Sequence, residues 1–207
     1  MYSKHPFEPF VPANATKLII GTIPPARFCY NQDSKKEELE DGDVEFYYGS
    51  RDNYFWELIG TACNKDFKSG SEGVDHRKQF LTENKIGITD VIETCERPLN
   101  KSASDKDLTS ISYKDLKTLL NENPAIDTLI YTSEYVKALI NKMFQESKAY
   151  HSIDPVDKKK QSVILNAKKY NVWVLYSPSP QALINMGTNG AEKRLEQYKE
   201  VFTCKKN

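Results

Sequence analysis

The stretch EFYYGSRDNYFWELIG, Glu45 to Gly60, sets Asp52 and Asn53 side by side, with Phe46, Tyr47 and Tyr48 before them and Tyr54, Phe55 and Trp56 after. A carboxylate can take a proton from water and act as a general base, whereas an amide can only orient that water. Asp52 is suited to cap the helix that follows. Two other segments are built to hold a shape. GTIPP, beginning at Gly21, is a rigid turn in which Gly21 permits close backbone approach while Pro24 and Pro25 fix φ and remove donors. It lacks the Gly-Lys-Ser/Thr ending of a phosphate loop. SPSPQALI repeats the device, with Ser177 and Ser179 set against prolines. Each alone is an ordinary turn; together, each directly after an apolar run, they suit the two walls of a rigid pocket.

Four runs must position those turns: KLIIGT (17 to 22), IGITDVI (86 to 92), DTLIYT (127 to 132) and VWVLYS (172 to 177). Their near-continuous apolarity predicts strands covered on both faces, and hence a parallel sheet. Between them lie segments of helical period: NYFWELIGTAC, VDHRKQFLTEN, SYKDLKTLLNEN with Ser112 and Asp115 as a capping box, SEYVKALINKMF with Ser133 as cap, and NGAEKRLEQYKEVF with Asn189 and Glu192 in capping positions. Strands alternating with helices predict an α/β layer architecture. In such a sheet ligands bind beyond the carboxyl ends of the strands. Residues 31 to 43, NQDSKKEELEDGD, read as a charged insertion, either a loop or a short exposed helix. The lysines of DPVDKKKQ read as a solvated loop rather than a phosphate patch.

Bulk properties narrow the partners. With 29 basic and 29 acidic residues the formal charge is zero, so any nucleic-acid contact must come from a local patch. Cys29, Cys63, Cys95 and Cys204 are scattered, without metal-ligand spacing, and are expected to be reduced thiols. The start, MYSKHPFEPFVP, has no apolar run of signal-peptide length, and no segment nears the roughly 20 apolar residues of a membrane span. The 207 residues are expected to form one cytoplasmic domain, monomeric, with no membrane, metal or cofactor.

In unbroken order from His5 to about Pro180, HPFEPFVPANATKLIIGTIPP, FYYGSRDNYFWELIG, GITDVIETCERPLNKSASD and SPSP resemble the uracil-DNA glycosylase superfamily, most closely its hypoxanthine-DNA glycosylase branch. The resemblance implies a three-layer α/β/α sandwich with a central four-stranded parallel sheet. It also implies hydrolysis of the N-glycosidic bond of a deaminated base flipped out of DNA, which needs a flat stacking partner and hydrogen bonds to the base edge. Phe46, Tyr47, Tyr48 and Phe28 are the stacking candidates, Tyr48 first and Phe28 next. Gly21, Thr22, Pro24, Ser177 and Ser179 complete the implied base pocket.

Most branches carry an Asp, Asn or Glu in the Gly-x-x-Pro turn, but here Thr22 and Ile23 stand there. In the hypoxanthine branch the water-holding residue is the Asn before xFW, which maps onto Asn53. The chain departs from the branch in two places: Gly49 to Asp52 replaces a His-Pro-Arg sequence, which keeps Asp52 as a rival base, and Ser177 replaces a His that stabilises the leaving base. Leu183, Ile184 and Met186 match the segment that relatives push into the duplex, although Leu183 and Ile184 could equally be core. Arg97 and Lys101 are candidates for phosphate contact or for loop salt bridges. Asp90 is expected to bind the backbone of neighbouring loops.

Two other classes remain. A superfamily member that binds a base without rapid cleavage would explain the missing carboxylate and His. A serine hydrolase using Ser177 or Ser179 would need a GxSxG elbow and a partner His motif, and neither is present.

Overall fold

The computed structural model describes residues 1–98, 105–144, 150–153, 161–165 and 167–202. In chain order these form β1 (Tyr2–Lys4), β2 (Lys17–Gly21), α1 (Phe55–Cys63), α2 (Gly70–Glu83), β3 (Ile86–Asp90), β4 (Ile92–Glu96), β5 (Thr109–Tyr113), α3 (Leu116–Glu122), β6 (Thr128–Tyr131), α4 (Glu134–Met143), β7 (Tyr150–Ile153), β8 (Gln161–Leu165), β9 (Lys168–Val174), α5 (Pro180–Ile184) and α6 (Gly190–Val201). The main sheet runs β3-β2-β6-β9-β8-β7. Strands β3, β2, β6 and β9 are parallel neighbours, and each grows from one of the four apolar runs.

The sheet is nevertheless six-stranded and mixed, not a four-stranded parallel one, because β8 joins β9 antiparallel and β7 joins β8 antiparallel. These added strands carry polar residues such as His151, Ser152, Gln161 and Ser162, as a partly solvated edge permits. They lacked the continuous apolar signature for that reason. The lysine run falls outside the described residues.

Alternation along the central strands divides the core. Leu18, Ile20, Leu129 and Tyr131 pack on one face with Leu116 and Leu120 of α3 and Val136, Leu139 and Ile140 of α4. Ile19, Ile88 and Ile130 pack on the other with Phe55, Trp56 and Ile59 of α1, Phe80 and Leu81 of α2, and Tyr198 of α6. Each fully buried aliphatic side chain contributes roughly 1.5 to 3 kcal/mol. Helices thus cover both faces.

The run IGITDVI does not stay one strand. Val91 N–H turns back to Gly21 O at 2.9 Å, and the chain enters β4, which joins β1 and β5 in a separate antiparallel sheet. Ser112 lies in β5 and caps nothing; Asp115 alone caps α3, accepting from Thr118 N–H at 2.9 Å. Ser133 caps α4 as expected, accepting from Val136 N–H, whereas Asn189 sits at the start of α6 without a side-chain cap bond.

The charged insertion forms turns and no helix. Asn31 Oδ1 accepts from Asp33 and Lys35 N–H, Lys36 pairs with Glu45, and Asp43 anchors its end. Cys29 and Cys95 are free and buried, and burial lifts the Cys29 thiol to about 12. Cys63 departs from the expectation of reduced thiols, being disulfide-bonded; Cys204 lies outside the described residues. Among the described residues no helix is long and apolar enough to cross a membrane.

Candidate active site

Beyond the carboxyl ends of β2, β3 and β6 lies a cavity of about 530 Å³. The GTIPP and SPSP turns form two of its sides, so Thr22, Pro24, Phe28, Ser177 and Ser179 all line it. Phe46, Tyr48, Asp52 and Asn53 line it from the aromatic stretch. Gly21 is not itself among the lining residues, but its position admits no side chain. A Cβ there would stand 2.1 Å from both Asp90 Oδ1 and the Tyr48 hydroxyl, which lean over the strand end.

The first wall is held from behind. Arg97 Nη2 donates to Pro24 O at 2.7 Å and Nε donates to Ser3 Oγ at 3.0 Å, with the side chain buried. Arg97 therefore does not fit the expected phosphate contact or an exposed salt bridge; it secures the proline turn. Lys101 lies outside the described residues.

The aromatic stretch divides by role. Tyr47 is core: it is buried, and its hydroxyl donates to Phe7 and Glu8 carbonyls. Phe46 is also buried, packed by Phe7, Phe10 and Trp56, with one side on the cavity. Tyr48 stacks on Phe55 at 4.1 Å between centroids and donates its hydroxyl to Thr132 Oγ1 at 2.8 Å. Its φ of +56° is a left-handed conformation that a tyrosine adopts only under constraint. The constraint is a tight turn in which Val44 N–H bonds Gly49 O and Gly49 N–H bonds Phe46 O; a Cβ on Gly49 would fall 1.8 Å from Val44 O.

The N-cap of the following helix is Tyr54 and no side chain caps it, so Asp52 is not the expected cap. Asn53 accepts at Oδ1 from Phe55 N–H at 2.9 Å in a local turn just before the helix. Asp52 stands exposed at the cavity mouth, 3.2 Å from Arg27 Nη2. Arg27 makes a two-pronged pair with the buried Asp43, at 2.7 and 2.9 Å, and also donates to Ser50 Oγ at 2.8 Å. Burial alone would raise the Asp43 carboxyl, but Arg27 and the Arg51 and Glu40 N–H groups outweigh it and hold it below the usual carboxylate range. This cluster clamps the first wall to the turn that carries Tyr48 and Asn53.

The second wall hangs on α6. Arg194 Nη1 donates to the Ser177 and Ser179 carbonyls at 3.1 and 3.2 Å, and Gln197 bonds the backbone at Val174 and Tyr176. Beyond it, Ile184 is 80 % exposed and so is not core, while Leu183 and Met186 are half-buried.

Two acids on the cavity wall complete the geometry. Asp90 does not bind loop backbone as expected; its Oδ2 accepts from His5 Nε2 at 2.8 Å. Asp105 Oδ2 accepts from Thr22 Oγ1 at 2.7 Å, and burial lifts its carboxyl to about 6.

Comparison with known proteins gives two likenesses. A hypoxanthine DNA glycosylase from Methanosarcina barkeri is 29% identical over 120 residues, 56% of this chain and 64% of that protein. The chain therefore matches less than two thirds of that relative's length. The solution structure of a protein from Methanosarcina acetivorans described as a uracil DNA glycosylase superposes with a TM-score of 0.58, covering 98% of this chain and 97% of that one at 18% identity, a likeness of fold. No family model matches the chain. The sequence likeness is thus to a hypoxanthine DNA glycosylase and the likeness of fold to a uracil DNA glycosylase structure.

Against the superfamily's motifs, the site is complete in some parts and altered in others. The rings assigned to stacking, Phe28, Phe46 and Tyr48, and the amide assigned to water, Asn53, do share one cavity. Sequence reasoning missed Arg27, Asp43, Arg97 in its wall-holding role, and Arg194, because a buried ion pair or a backbone clamp has no local pattern. It also passed over His5 and Asp105. Their positions in the quoted HPF and SASD motifs were the available signal.

Proposed function

We propose that this chain is a monofunctional DNA glycosylase that hydrolyses the N-glycosidic bond of a flipped-out deaminated base, uracil or hypoxanthine. The observation that carries the reading is that Tyr48, Phe46 and Asn53, presented by one short stretch, face a cavity of nucleobase scale between two proline walls. A base inserted there would meet flat rings and backbone groups, as base flipping requires. Cleavage passes through an oxocarbenium-like sugar, so the protein chiefly stabilises charge and places a water. The Asn53 Nδ2 donors can hold that water by its oxygen. Exposed Ile184, with Leu183 and Met186 beside it, would enter the gap left in the duplex. Oligonucleotides carrying uracil, hypoxanthine, xanthine or mismatched thymine, scored for abasic sites, test the reading. Release from at least one deaminated base, strongly reduced in Asn53→Ala, is expected; no release from any of them in single or double strands would sink it.

A second reading, a protein that binds lesion DNA without rapid cleavage, is favoured by one detail. Asn53 Oδ1 already accepts from Phe55 N–H, so the residue matched to the water-holding role has one of its two acceptor sites occupied. Lesion DNA bound tightly and recovered intact after prolonged incubation would support it.

A further inference from the structure

The glycosylase reading leaves the water's proton without a destination. Asn53 lines the cavity, and a carboxamide is far too weak a base to take a proton from water. Thr22, in the turn where most superfamily branches carry a carboxamide or carboxylate, has only a hydroxyl. The acceptor must therefore be another group on the wall, and five carboxylates lie there: Glu37, Glu40, Asp52, Asp90 and Asp105. Glu37 and Glu40 belong to the exposed insertion, and Asp52 is exposed and paired with Arg27. Asp90 accepts from His5 and is crowded against the Tyr48 hydroxyl over Gly21. Asp105 differs from all of these, because the group that orients it is the Thr22 hydroxyl, on the very turn that lacks the acid.

We propose that Asp105, oriented by Thr22, is the general base of this site, restoring through space the carboxylate missing from the Gly-x-x-Pro turn. The inference rests on the glycosylase reading. Water oxygen forms the new bond to C1′ of the sugar while the C1′–N bond breaks and its electron pair leaves with the base. One water proton passes to Asp105 and from there to solvent, and the departed base takes a proton from solvent. Surroundings suit the role. Burial raises the Asp105 carboxyl to about 6; the Thr22 hydroxyl and then Arg97 pull it down, and Asp90 pushes it up. Tyr48, Cys95 and Tyr135 also face it. A base poised near the working pH is the efficient one.

Single-turnover excision of uracil and hypoxanthine against pH, in wild type, Asp105→Asn, Thr22→Val and Asn53→Ala, tests the proposal. The wild-type rate should rise through a midpoint near the Asp105 value of about 6. Asp105→Asn should lose roughly 10²- to 10⁴-fold and become flat with pH. Thr22→Val should lower the rate less than Asp105→Asn and move the midpoint to higher pH, since it removes a hydrogen bond that favours the carboxylate. Asp105→Asn within about threefold of wild type, with the pH midpoint kept, would overturn the proposal while leaving the glycosylase reading standing. Wild type that releases no base would overturn both, whereas loss confined to Asn53→Ala would overturn only the base. Thermal melting at pH 8 guards against a folding artefact. Asp105→Asn should melt no lower than wild type, and a clearly lower melt would assign Asp105 a structural role instead.

Discussion

At the scale of single residues, the site depends on three atoms that the backbone places tightly. Gly21 stands beneath the lining residues Asp90 and Tyr48, and Gly21→Ala would force a methyl group against them; a loss of about 1 to 3 kcal/mol in urea unfolding is expected, with excision lost alongside. Asn53 does two jobs that one pair of variants can separate. Asn53→Ala removes the bond to Phe55 N–H and should cost about 1 kcal/mol of stability as well as activity. Asn53→Asp keeps an acceptor for that bond, so stability should return while the lost Nδ2 donors leave excision impaired. Asp105 makes a pH prediction. Its folded value of about 6 lies above the ordinary 3.8, so between the two the folded protein holds a proton that the unfolded chain has released. The stabilising contribution is therefore present below the ordinary value and is lost as pH rises through about 6, on the order of 2 to 3 kcal/mol in all. In denaturant melts, wild type should gain roughly 2 to 3 kcal/mol relative to Asp105→Asn on going from pH 8 to pH 4.

Among elements, the two walls owe their rigidity to residues behind them rather than to proline alone. Arg97→Met would leave the Pro24 carbonyl and Ser3 hydroxyl without their buried donor, a cost of roughly 1 to 3 kcal/mol. Because Arg97 is turned inward, the salt dependence of DNA binding should be unchanged by the substitution. A slope reduced by about one phosphate contact would return Arg97 to the interface. The reverse holds for the segment after the second wall. Ile184 is 80 % exposed, so Ile184→Ala should alter stability by less than about 0.5 kcal/mol while weakening excision from duplex more than from single strands. Equal loss on both substrates would remove the wedge role.

For the whole molecule, charge at the mouth opposes the proposed partner. Net charge is zero, and the exposed Glu37 and Glu40 of the insertion reach the cavity that would receive a DNA base. Glu37→Gln removes one of these charges without touching the Arg27 and Arg51 pairs, which use Glu40. It should tighten DNA binding at low salt, with the gain fading as salt rises. Affinity measured by fluorescence anisotropy across a salt series would check this, and an unchanged curve would mean that the insertion stands clear of the phosphates.

Local chemistry in the chain determined much of this. Four apolar runs became the four parallel strands because burial on both faces demands continuous apolarity, and the Gly-Pro and Ser-Pro turns became walls because proline and glycine restrict backbone locally. The aromatic stretch was legible as a cluster because its residue types carry their chemistry, whereas Asn53 was singled out by resemblance alone; Phe46, Tyr48 and Asn53 line one cavity. Only the tertiary structure decided the rest. Polar β7 and β8 gained their place by pairing with β9, which no local pattern records. Arg97 turned inward, Asp52 paired with Arg27 instead of capping a helix, and Asp90 found His5 85 positions away in sequence. Thr22 and Asp105, 83 positions apart, meet through one hydrogen bond. A carboxylate's proton affinity is set by burial and by neighbours brought from distant segments, so the sequence could supply the acid but only the fold could make it a base.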